Sequence, residues 1–125
     1  MDQPREYDRE WTVPIREHVR RRVGYTTDSG TVVRFLVQLE YELRPDEWHV
    51  IVRADHDARG SEEATHDVTE EGVHLDVYRD GEKVGTVRIT GSLPAGTAFT
   101  AAEEHLTDHA EGYITRFEEW HPTDQ

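Results

Sequence analysis

Apolar and polar residues alternate most regularly between Val33 and Leu43. Val33, Phe35, Val37, Leu39, Tyr41 and Leu43 interleave with Arg34, Leu36, Gln38, Glu40 and Glu42, the period of two that a strand imposes. Upstream, HVRRRVGYTT joins this run through TDSG, whose Asp, Ser and Gly favour a tight turn. A hairpin over Glu17–Leu43 is therefore predicted. RPDE makes the next turn, and WHVIVRA is a third strand with Trp48, Val50, Val52 and Ala54 on one side. VHLDVYRDGEKVGTVRIT is a second hairpin with Asp80-Gly81 at its turn; Val73, Leu75 and Val77 share a side, as do Val87 and Ile89.

After GSLPAG the period changes. Phe99, Ala102, Leu106, Ala110, Tyr113, Phe117 and Trp120 recur at helical spacing, and Thr100 with Glu103 has the form of a capping box. A helix over Ala101–Trp120 is predicted, lying on the apolar side of the sheet. The expected fold is α+β: an antiparallel sheet of about five strands with one C-terminal helix packed on one face. Phe35, Val37, Leu39, Trp48, Val50, Val52, Leu75, Val77, Leu106, Tyr113 and Phe117 are the expected core. No repeat or boundary divides the chain, so residues 1–125 form one expected domain, with 1–10 as a loose arm and 55–72 as a long loop rich in histidine and acids.

Composition changes the picture of the surface. Apolar residues are 34% and charged residues 33% of the 125, and the formal net charge is -13. Such a balance leans toward disorder, but the clear periodicities favour a folded domain. Of the 14 basic residues only Lys83 is lysine. Abundant Asp and Glu with arginine in place of lysine point to a halophilic protein, since molar salt cuts the Debye length to roughly 3 Å and screens the self-repulsion. With no cysteine, disulfides, thiolate nucleophiles and cysteine-type zinc sites are excluded. No run approaches a membrane span and MDQPREYDRE lacks an apolar signal core, so a soluble cytoplasmic protein without membrane contact is expected.

Alternation also assigns the other side of the sheet. Arg20, Arg22, Arg34, Gln38, His49, Arg53, Asp55, His74, Asp76, Tyr78, Thr86 and Arg88 should share it. The planar guanidinium fork suits phosphate, so Arg20, Arg22, Arg34, Arg53 and Arg88 with Tyr78 form a candidate RNA surface. Glu40 and Glu42 lie on the same side as ready cross-strand partners, so a merely solvated face fits equally.

The 55–72 connection is longer than compact domains usually tolerate without a role. His56, His66 and His74 with Asp55 or Asp76 have ligand chemistry, but no H-E-x-x-H or similar spacing accompanies them, and no metal or cofactor is expected. Two histidines could instead act as general base and acid in metal-independent RNA cleavage, with Arg53 facing the charged phosphorane, or the loop is an acidic, hydrated connection with no chemistry, the reading that counting alone favours. His105 and His109, an i, i+4 pair flanked by acids, are read as the helix's solvated side.

The segment His66-Asp67-Val68, Glu70-Glu71-Gly72, His74 and Asp76–Lys83 resembles a family of small haloarchaeal proteins of unknown role. More distantly, the Arg-x-Asp strand end at Arg53 and Asp55, followed by His66 and His74, resembles the TumE toxins of toxin–antitoxin pairs. Ala54 stands where those toxins tend to carry an aromatic, and His66 and His74 lie further apart than the close histidines of that family. The likeness implies a toxin acting on RNA, with an antitoxin protein as partner and Arg53, Asp55, His66 and His74 in its site; His56 and Asp76, from the loop and face readings, complete the expected catalytic set. The competing expectation is a non-catalytic interaction module, a homodimer formed through an edge strand or the arginine face.

Overall fold

The computed structural model describes residues 7–57 and 67–121. Its order is β1 (Arg9–Arg16), β2 (Val19–Asp28), β3 (Thr31–Arg44), β4 (Glu47–Asp57), α1 (Val68–Glu71), β5 (His74–Arg79), β6 (Glu82–Arg88) and α2 (Ala95–Trp120). The strands form one six-stranded sheet in sequence order, every neighbouring pair antiparallel. The fold is thus α+β, with one strand more than the pattern predicted.

The added strand is β1. It reaches into the segment assigned to a loose arm and pairs with β2 from Arg9↔Tyr25 to Arg16↔Val19. Its pattern was faint because one of its sides is solvated and Pro14 interrupts it. A proline lacks the N–H that a central strand needs, and is tolerated because β1 is an edge.

Turn chemistry sets the registers. Ser29 and Gly30 between Asp28 and Thr31, and Asp80 and Gly81 between Arg79 and Glu82, all have positive φ of 52–82°. Two such residues make a type I′ turn, whose twist matches that of the flanking strands.

The apolar side carries Val19 and Val23 from β2, Phe35, Val37 and Leu39 from β3, Val52 and Ala54 from β4, and Leu75 and Val77 from β5, all buried. Against them α2 lays Ala98, Ala102, Leu106, Ala110, Ile114 and Phe117. Spacings of four, and of three from Ile114 to Phe117, keep these on one stripe, and the alanines let the helix approach β3 and β4 closely. Each fully buried Leu, Ile or Phe contributes roughly 1.5–3 kcal/mol.

Two local expectations fail for identifiable reasons. The helix starts at Ala95, not Ala101, with Pro94 at its N-cap, and the predicted capping box does not form. The Thr100 hydroxyl instead donates back to the Gly96 carbonyl at 3.3 Å. In β4 the ladder slips: Val52 faces Leu39 and Val50 faces Glu40, leaving Ile51 as an extra residue. A bulge reverses which side the preceding residues take. Ile51 enters the core at 2% exposure, whereas Trp48 and Val50 face Glu42 and Glu40 on the polar side. Tyr113, also expected in the core, is only partly buried beside it.

The long connection is shorter than its loop reading. β4 continues to Asp57, and α1 begins at Val68. Asp67 caps α1 by accepting the Thr69 N–H at 3.0 Å, and Val68 and Val73 bury their side chains on either side. Gly72 joins α1 to β5 at φ 81°, where a Cβ would lie 2.2 Å from the Thr90 carbonyl oxygen.

Candidate functional site

The polar side of the sheet is densely charged, and its carboxylates are buried. Exposure is 6% for Glu40, 5% for Asp55, 7% for Asp57 and 2% for Asp76. A carboxylate loses hydration there, which is sustainable only with cationic or hydrogen-bonding neighbours. Arg20 Nε meets Glu40 at 2.5 Å, Arg22 meets Glu10 at 2.8 Å, Arg34 meets Asp57 at 3.3 Å and Arg53 meets Asp55 at 3.0 Å. Gln38 donates its amide to Glu40. Two guanidinium groups also stack on rings, Arg20 over Trp48 at 3.8 Å and Arg34 over Tyr7 at 4.5 Å.

The chemistry-bearing residues concentrate on β4, β5 and β6. Arg53 lies opposite Asp76, one of the two residue pairs of the short β4–β5 ladder. Asp76 accepts the Thr86 hydroxyl at 3.1 Å, with Lys83 Nζ at 3.8 Å. His74 faces Arg88 two ladder positions beyond the Asp76–Thr86 pair, on the same side of the sheet. Burial pushes the Tyr78 hydroxyl above its ordinary range; Arg53 opposes the shift, while Asp76 and Asp55 add to it. Tyr78 therefore stays protonated, a hydroxyl donor beside Arg53.

The predicted catalytic residues divide. Arg53, Asp55, His74 and Asp76 share the polar side, and so do Arg20, Arg22, Arg34, Arg88 and Tyr78. His56 does not. It pairs with Phe35 across the β3–β4 ladder, on the helix side of the sheet, with its ring 5.6 Å from the Phe35 ring. At 2% exposure, its Nδ1 accepts the Val68 N–H at 3.0 Å, so it anchors α1 to the sheet. His66 lies outside the described residues. His49, expected on the polar side, pairs with Tyr41 on the other because it precedes the bulge.

Sequence reasoning missed Asp57, Lys83 and Trp48. Carrying the β4 alternation two residues further would have found Asp57, the partner of Arg34. Lys83 and Trp48 are each displaced by a bulge, which no simple alternation registers.

On α2 the histidine pair is not simply solvated. The His105 and His109 rings stack at 4.2 Å, and His105 Nε2 lies 2.7 Å from the Tyr113 hydroxyl. Burial, then His109, lowers the His105 pKa. Among the described residues no three His, Asp or Glu side chains are placed to hold a metal ion, and no helix is long and apolar enough to cross a membrane.

Comparison with known proteins adds one match. A family model described as a domain of unknown function (DUF7718) matches residues 5–123. No curated protein and no solved structure matches the chain.

Proposed function

The chain belongs to the DUF7718 family, and we propose that it is a toxin-like protein that cleaves single-stranded RNA without a metal. The observation that carries this reading is the gathering of Arg53, Asp55, His74, Asp76 and Tyr78 on one side of β4 and β5. In this reading His74 takes the proton from the attacking 2′-hydroxyl, and Arg53 faces the charge that grows on the phosphorane. Asp55 and Asp76 hold Arg53 and its neighbours in place. The leaving 5′-oxygen needs a proton, a role assigned to His66. A cell must restrain such an activity, so a partner antitoxin protein is part of the proposal. The lone lysine and the charge of -13 support a setting in salt-rich haloarchaeal cytoplasm.

The test is incubation of the purified protein with end-labelled single-stranded RNA in molar KCl and EDTA. Wild type should cut the strand, and His74→Ala should lower the rate by roughly 10²–10⁴-fold, as expected for loss of an acid–base group. Intact RNA with wild type, or equal cutting by both, overturns the proposal.

One observation favours a second reading. Four arginines of the polar side, Arg20, Arg22, Arg34 and Arg53, carry carboxylate partners, as a structural charge ladder would, while every residue of the edge strand β6 is exposed, Val84 at 54% and Val87 at 40%. A non-catalytic module would use that edge to pair with another copy. Sedimentation showing a monomer at all concentrations would remove this alternative.

A further inference from the structure

The acid–base cluster leaves Trp48 unused. The Ile51 bulge turns this indole onto the polar side, and Arg20 lies over it at 3.8 Å. Arg20 is held there by Glu40, itself 6% exposed and bound by the Gln38 amide. The guanidinium plane is thus set before any ligand arrives. Beside the stack, Thr12, Pro14, Arg16, Val19, Arg20 and Trp48 line a hollow of about 390 Å³. A second hollow opens next to it through the shared Thr12 and Arg20, and extends to Arg22.

We propose that the Trp48–Arg20 stack and its hollow form a nucleobase subsite that takes one unpaired base of a single-stranded RNA. The inference rests on the RNA reading above and places part of the substrate. A hollow of this size falls within the range that small flat ligands fill. Its walls supply what a base recognises: an indole, the ring of Pro14 and an oriented guanidinium. Arg22, paired with Glu10 at 2.8 Å, borders the second hollow on the side where the flanking phosphate would lie. Arg53 lies five positions along β4 from Trp48, roughly 15 Å, so a short single-stranded segment would span the subsite and the acid–base cluster together. Stacking is tolerant of base identity, and the subsite should favour unpaired over paired RNA without strong sequence preference.

The test uses His74→Ala protein, so that RNA is not consumed, with Trp11→Phe and Trp120→Phe added so that fluorescence reports Trp48 alone. It is titrated with a hexa-adenylate and with an abasic oligonucleotide of equal charge. Hexa-adenylate should quench Trp48 and bind roughly ten-fold or more tightly than the abasic strand, the effect of one base–aromatic stack. A Trp48→Phe variant should keep most of that preference, and Trp48→Ala should lose it. Equal binding of the two strands, or no quenching, overturns the subsite, and it does so without relying on any variant that alters Trp48. The two readings fail separately. Base-dependent binding by a protein that never cuts RNA sustains the subsite and removes the catalytic proposal. RNA cutting with no preference for bases does the reverse.

Discussion

His56 has the residue type of a catalyst and the surroundings of a core residue. Its ring is enclosed between Phe35 and the start of α1, and it accepts the Val68 N–H. Replacing it with Ala should remove packing and leave a buried N–H unsatisfied, at a cost of about 2–4 kcal/mol. Urea denaturation would measure this, and a loss under 1 kcal/mol would contradict the core assignment. At the surface, His121 illustrates a different economy. Nδ1 lies 3.0 Å from the Phe117 carbonyl oxygen and Nε2 lies 2.7 Å from Asp80. The hydrogen bond from His121 is the main cause that holds the Asp80 pKa below its ordinary 3.8. A carboxylate with a lowered folded pKa stabilises the protein above the unfolded value and stops doing so as pH falls through the folded one. The thermal stability gap between wild type and Asp80→Asn should therefore be present at pH 6 and shrink as pH falls below 3.8 toward the lowered folded pKa. A gap that does not shrink at all on acidification below pH 3.8 would contradict the pairing.

Elements were legible where one periodicity ran unbroken, and illegible where a single residue interrupted it. The β3 alternation and the Asp80-Gly81 turn are read directly from side-chain type, because burial and positive φ constrain both. Trp48 and His49 were placed on the wrong sides because Ile51 adds one residue to β4, and nothing in WHVIVRA distinguishes a bulge from a regular strand. The helix start was misplaced by a plausible Thr-x-x-Glu cap lying inside a longer helix. The same limit governs the site: Arg53, Asp55, His74 and Asp76 lie beyond the bulge or on a short regular strand, and alternation brought them together, while His56 required knowing that β4 continues. Gly72 offers a test at this scale. Its positive φ and the 2.2 Å approach of the Thr90 oxygen leave no room for a side chain, so Gly72→Ala should cost about 2 kcal/mol or more through strain and displaced backbone. An unchanged melting temperature would mean that the α1–β5 junction is not held as described.

For the molecule as a whole, the charge of -13 is opposed locally by ion pairs on the polar side and globally only by solvent ions. Unfolding relieves the self-repulsion, so salt should favour the folded state. The melting temperature should rise as KCl goes from 0.1 M to 2 M, beyond the rise given by an equal osmolarity of sucrose. A flat response would show that the buried pairs already balance the field.

Strand order adds a consequence for how the chain is made. Every strand pairs with its predecessor, so the sheet can zip together turn by turn while it emerges from the ribosome. The helix that covers Phe35, Leu39 and Leu75 is encoded after all six strands. Until α2 has been synthesised, a nearly complete sheet carries a bare apolar side in a crowded compartment. The last residues of the helix, Ile114 and Phe117 among them, thus decide whether a nascent molecule closes or sticks to its neighbours.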